Sequence, residues 1–175
     1  MSRLGTMSDI FTIAKMTAGD IGAAYALHLG SSDDDPSGHV IDWLSETVDD
    51  PFGHFFVAYW GDDMVAYCGM YHNTPISNPE ISSPDYCKIG DIVVKKEFQG
   101  KGIGKRLILK VLETAKELGV GRTKLEVETT NERAVKLYES LGFKIEETVE
   151  GFYDDGADAY IMWHHQEACS PRVHQ

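Results

Sequence analysis

Three glycines at alternate positions give this chain its clearest chemical signal. They stand in Gln99-Gly100-Lys101-Gly102-Ile103-Gly104-Lys105-Arg106, after the β-branched run Ile92-Val93-Val94 and before a stretch with helical apolar spacing. A helix N-terminus presents unpaired N–H groups and a partial positive charge. Glycines let such a backbone approach an anion without Cβ clashes, and Lys101, Lys105 and Arg106 add charge. The physics therefore points to a phosphate or pyrophosphate, with a plain tight turn as the alternative. A triphosphate-binding Walker loop needs GxxxxGK and then Ser or Thr; the spacing here is one short and Arg106 takes the hydroxyl position. The dinucleotide fingerprint GxGxxG fails at Lys105, where its last Gly belongs.

Other reactive side chains are scattered. Cys68, Cys87 and Cys169 form no CxxC pair, which fits a reducing, cytoplasmic setting, and none lies beside the glycines. Asp33-Asp34-Asp35-Pro36-Ser37-Gly38 imitates the start of a calcium loop, but position twelve is Leu44 instead of the bidentate Glu. His164 and His165, being adjacent, would point to opposite faces of a strand, and His54 and His72 read as strand-end residues. No metal site is expected.

The elements that must position the glycines follow from periodicity. Residues 10–16 read as a strand, residues 17–20 introduce a helix with Ile21, Tyr25 and Leu27, and residues 40–48 form a second helix after a polar loop at 31–38. Residues 55–60 and 64–71 read as a hairpin about Gly61-Asp62-Asp63, and 72–85, with three prolines, as a long loop. A strand at 86–95 leads into the glycines. In the helix at 102–118, Ile103, Leu107 and Val111 recur at spacing four, and Gly119 stops it. A strand at 124–128 precedes a helix that Thr129 and Glu132 would open as a capping box. Residues 143–149 and 159–163 form a closing strand pair. The order β-α-α-β-β-β-α-β-α-β-β predicts an α/β (α+β) chain with a mixed, mostly antiparallel sheet of about seven strands and about four helices. It reads as a tail at 1–8, one domain over 9–164, and a tail at 165–175.

At 175 residues there is enough chain to bury a core. No apolar run approaches the ~18–20 residues that cross a bilayer, and no signal peptide is apparent. The net charge of -12 argues against nucleic acid and against an anionic membrane surface. It suits a cationic substrate such as an amine or a basic peptide, while net charge alone seldom identifies a partner and solubility is the plainer reading.

The glycine segment resembles motif A of the GNAT acetyltransferase superfamily, Q/R-x-x-G-x-G/A, at Gln99, Gly102 and Gly104. Asn131-Glu132-Arg133-Ala134-Val135-Lys136-Leu137-Tyr138-Glu139-Ser140-Leu141-Gly142-Phe143 resembles its second signature, N-x-x-A-x-x-x-Y-x-x-x-G-F. Within the superfamily the chain is most similar to the Rim and Ard types of N-terminal peptide acetyltransferase. That likeness rests on Leu125-Glu126-Val127-Glu128 before Asn131, and on the hairpin Tyr153-Asp154-Asp155-Gly156-Ala157-Asp158-Ala159.

The resemblance implies acetyl-CoA as co-substrate, with splayed central strands. Its pyrophosphate would lie on Gln99, Gly100, Lys101, Gly102, Ile103, Gly104 and Lys105. Its pantetheine arm would pair with the backbone of Ile92, Val93 and Val94 and meet Asn131. Glu126 matches the general base, with Glu128 as competitor on the same face or a solvated carboxylate as the alternative. Tyr138 matches the residue that protonates the leaving thiolate, although it also lies on the apolar stripe of Ala134, Leu137 and Leu141. Asn131 reads equally as a helix-start residue. Phe152 and Tyr153 would line a peptide channel. The implied acceptor is the α-amine of a peptide; a polyamine or amino-acid amine, and a non-catalytic acetyl-CoA sensor, are the other readings. Many relatives dimerise, and no stretch here marks an interface.

Overall fold

The computed structural model describes residues 11–30, 39–73 and 86–166. Thr17 and Asp20 form a capping box across a short 3-10 turn, each side chain satisfying the other residue's end of the turn, and α1 (Ile21–Leu29) follows. Before it runs β1 (Phe11–Lys15), and after it α2 (His39–Val48), β2 (Gly53–Trp60), β3 (Asp63–Asn73) and β4 (Tyr86–Val94). Then come a 3-10 turn at Lys96–Phe98, α3 (Ile103–Glu117), β5 (Arg122–Glu128), α4 (Glu132–Ser140), β6 (Lys144–Val149) and β7 (Ala159–His165). The sheet has seven strands in the order β1-β2-β3-β4-β5-β7-β6. Its pairings are antiparallel between β1 and β2, β2 and β3, β5 and β7, and β6 and β7, and parallel between β4 and β5. Among the described residues this is a mixed, mostly antiparallel sheet with four α-helices, as the periodicity predicts.

The chain divides into two compact units, residues 1–71 with 90–111 and residues 72–89 with 112–175. The first has an aromatic core. Trp43 meets Phe55 edge-on at 5.2 Å, and Phe55 meets Tyr71 at 5.7 Å. Phe55 pairs across the hairpin with Gly69, and a Cβ on Gly69 would come within 2.3 Å of its ring. The glycine exists so that the ring can lie on the backbone. Leu27, Leu44, Val57, Tyr67 and Val93 complete this core.

The second unit is organised by β5. Thr123, Leu125 and Val127 are buried, while Lys124, Glu126 and Glu128 alternate with them on a half-exposed face. On α3, Ile103, Leu107, Val111 and Ala115 are the buried stripe. Among the described residues no helix is long and apolar enough to cross a membrane.

Three local expectations are corrected. The cap of α4 is Asn131, whose Oδ1 accepts the Ala134 N–H at 3.2 Å, and not Thr129 with Glu132. The chain needs two further residues after β5 to turn, so the helix begins at Glu132 and Asn131 occupies the capping position. Strand β3 reaches Asn73, and β7 reaches His165 because it pairs with β5 through Arg122. The polar loop at 31–38, most of the loop at 72–85 and Cys169 lie outside the described residues.

Candidate active site

The glycine turn belongs to the first unit. The Lys95 N–H donates to Val65 O at 2.8 Å, and the Gln99 side-chain amide donates back to Val94 O at 3.1 Å. These bonds hold the end of β4. Gly100 and Gly102 have φ of +77° and +79°, conformations in which an L side chain is strained. A Cβ at Gly102 would meet nothing within 4 Å. The position is therefore glycine for its backbone angle, over open space. The first intrahelical bond, Arg106 N–H to Gly102 O at 3.1 Å, leaves the preceding N–H groups without helical partners. Buried Ile103 anchors the turn, and Gly104 and Lys105 continue it. Lys101 extends toward rings, with Nζ 4.7 Å from the Phe98 centroid and 5.9 Å from that of Trp60. Upstream, Ile92 and Val94 are half-buried and Val93 is buried.

The second unit holds the expected acid–base groups. The Glu126 side chain is 11% exposed, and both its oxygens are in ion pairs: Oε2 with Lys88 Nζ and Oε1 with Lys124 Nζ, each at 3.0 Å. A carboxylate oxygen has two lone pairs, so one acceptor position per oxygen remains. Glu128 accepts from the Thr130 hydroxyl. The Tyr153 phenol is raised above its ordinary value, first by burial and then by the charges of Glu126, Glu128 and Asp155. The fold thus brings Tyr153 near Glu126 and Glu128, although it lies far from both in sequence. Phe152 is 42% exposed and packs edge-on against the Tyr153 ring at 5.1 Å.

Tyr138, on α4, is buried, with its ring 5.9 Å from Phe143. It is part of the packing, in keeping with its place on the apolar stripe. Asn131 spends its oxygen on the helix cap, while its amide N–H groups take no part in that bond.

The buried thiols are poor nucleophiles. Burial and the nearby Asp91 charge push the Cys68 thiol up, away from the reactive thiolate, and Cys87 is also buried. Two features are absent from the motifs. Lys88 and Lys124 become partners of Glu126; strand alternation alone places Lys124 on its face, but Lys88 arrives only through the parallel register Lys88↔Lys124. In the first unit, buried Tyr67 donates to Asp91 Oδ2 at 2.7 Å and lies 2.8 Å from His28 Nδ1, tying α1, β3 and β4 together.

Comparison with known proteins fits this arrangement. The acetyltransferase (GNAT) family matches over residues 23–143, a stretch that runs through both units. Over 113 residues the chain is 35% identical to N-alpha-acetyltransferase RimI of Mycobacterium tuberculosis, a match covering 64% of this chain and 66%, just under two thirds, of that protein. In fold it is similar to the Escherichia coli ribosomal-protein-S18-alanine N-acetyltransferase, with a TM-score of 0.75 at 22% identity over 95% of this chain and 100% of that one. It is also similar to Arabidopsis thaliana NAA60 in complex with acetyl-CoA, with a TM-score of 0.73 at 15% identity over 89% and 98% of the two chains. With a family match spanning most of its length, an open glycine turn at a helix start and the second signature on α4, the chain belongs to the GNAT acetyltransferase family and is an N-acetyltransferase.

Proposed function

We propose that this protein uses acetyl-CoA to acetylate the α-amine of a peptide or protein N-terminus, within a single catalytic domain over residues 9–164. The observation that carries the co-substrate reading is the turn at Gly102. Its backbone angle demands glycine, its missing Cβ opens onto free space, and the N–H groups of the first turn of α3 are without helical partners. That is a cradle suited to a pyrophosphate. Gln99, Gly100, Lys101, Gly102, Ile103, Gly104 and Lys105 would hold it. The backbone of Ile92, Val93 and Val94, with the Asn131 amide, would hold the pantetheine arm. The relatives named for N-alpha-acetylation and the complex of NAA60 with acetyl-CoA support both choices.

In the reaction the neutral amine nitrogen attacks the thioester carbonyl carbon, the C–S bond breaks and an amide forms. Glu126 takes the amine's proton through a free lone pair, directly or by way of water. A backbone N–H of Ile92–Val94 polarises the carbonyl oxygen. Tyr138 gives its phenolic proton to the departing thiolate. Phe152 and Tyr153 line the approach of the peptide.

The test is acetyl-CoA turnover by the full chain against peptides with varied N-termini, beside polyamines and free amino acids. Peptides should be acetylated. Turnover confined to small amines would replace the acceptor, and acetyl-CoA binding without turnover would make the chain a sensor. In the same assay Tyr138→Phe should lose about a hundredfold or more in kcat with little change in acetyl-CoA affinity.

A further inference from the structure

Glu126 lies among more positive charge than proton transfer from an ammonium calls for. Lys88 and Lys124 each sit 3.0 Å from it. Two residues earlier on the same strand face, Arg122 lies 4.7 Å from the centroid of the Trp163 ring. Trp163 stands opposite Lys124 in the β5–β7 register, and Tyr86, two residues before Lys88, meets its ring edge-on at 5.3 Å. Opposite Arg122, His165 pairs with Glu146 at 2.7 Å. Two cations therefore hold one carboxylate, with Arg122 further along the same face, in a chain whose net charge is -12. At the other end of the face stand Glu128 and the Tyr153 phenol, which feels both Glu126 and Glu128. One strand face thus passes from cationic to anionic in steps of ~7 Å between alternate residues.

An acceptor amine reaches this site as an ammonium ion. Beside Lys88 and Lys124 it meets like charge, unless the acceptor brings a carboxylate of its own. Each lysine ammonium has three N–H donors, and one bond to Glu126 leaves two for such a group. A carboxylate on the first or second residue of a peptide lies within about one strand step of the α-amine.

We propose that Lys88 and Lys124 are specificity-determining residues: they select peptide acceptors with an acidic side chain at residue one or two, docking its carboxylate while the α-amine meets Glu126. This rests on the reading of Glu126 as proton acceptor for a peptide α-amine. The lysines act on the acceptor's charge and take no part in bond making.

The experiment compares kcat/KM for peptides identical except for Glu or Gln, and Asp or Asn, at residues one and two, at low and high salt. Wild type should favour the acidic peptide by about tenfold at low salt, and by less at high salt. The double variant Lys88→Gln with Lys124→Gln should bring the ratio to within about twofold, and Lys88→Arg with Lys124→Arg should keep it, because charge is retained. The ratio is insensitive to any loss of overall rate caused by disturbing Glu126. Equal wild-type rates for acidic and amide peptides, or a preference that survives in the double Gln variant, overturn the proposal while leaving peptide acetylation intact. Turnover of free glutamate with none of any peptide overturns the peptide reading, and this selection with it.

Discussion

The glycine turn and the exposed face of β5 are built on opposite principles. At the turn, side chains matter by their absence: Gly100 and Gly102 supply positive φ, and the proposed binding groups are backbone N–H groups at the start of α3. On β5 the backbone pairs with β7 from Arg122 to Glu128 and with β4 at Thr123 and Lys124, and the candidate chemistry is in side chains: Glu126 between Lys88 and Lys124, with Glu128 and Tyr153 nearby. A backbone site tolerates little change of residue but serves any ligand with the right anion. A side-chain site is easily retuned, so it is where discrimination between acceptors is expected to reside. On the proposed function, a family's common reaction and a member's own specificity have different physical carriers.

That contrast breaks most sharply at the turn. Gly102→Glu adds a strained L residue at φ +79° and a negative charge where an anion would sit, so acetyl-CoA affinity should fall by roughly a hundredfold or more. Calorimetric titration measures this, with thermal unfolding as the control for fold. Unchanged affinity would separate the turn from the co-substrate.

The β5 face should respond differently. Glu126→Gln preserves shape but removes the proposed proton acceptor, so kcat should drop by about 10²–10³ with acetyl-CoA affinity retained. If Glu128 is the base instead, the drop appears in Glu128→Gln and the Glu126 variant changes chiefly KM. Rate against pH for the two variants distinguishes these cases.

The smallest effect lies on the buried face of the same ladder. His164, opposite Thr123 and 5.3 Å from the Phe143 ring, is held below the ordinary histidine value of 6.5, first by burial and then by His165. The unfolded chain therefore binds a proton that the native imidazole refuses. Stability should fall as pH drops through 6.5 toward the lowered native value, and this group should contribute no slope above 6.5. Urea midpoints between pH 7.5 and 5.5, with and without His164→Gln, measure that contribution; an unchanged slope in the variant would assign the pH dependence elsewhere.

Much of this arrangement is legible in the residues. Spacing four in Ile103, Leu107 and Val111 marks α3, and these residues are its buried stripe. Alternation marks β5 and puts Lys124, Glu126 and Glu128 on one face. Residue type does not settle the α4 cap, because Thr129 and Asn131 are both good caps, and which one is used depends on how many residues the turn after β5 consumes. The Tyr153 phenol gives no local sign that it lies near Glu126 and Glu128, since that nearness comes from the return of the chain through the closing strand pair.

What the sequence determined by itself is everything carried by local backbone and short period: the elements, the glycine turn and its suitability for an anion. Those properties depend on neighbours within a few residues, so order along the chain suffices to specify them. Tertiary structure decided the charge around Glu126. Lys88 lies 38 positions from Glu126 in the numbering, and only the parallel β4–β5 register brings its ammonium to 3.0 Å from that carboxylate. Ion pairing depends on distance through space, which no pattern along the chain encodes until the strands are aligned.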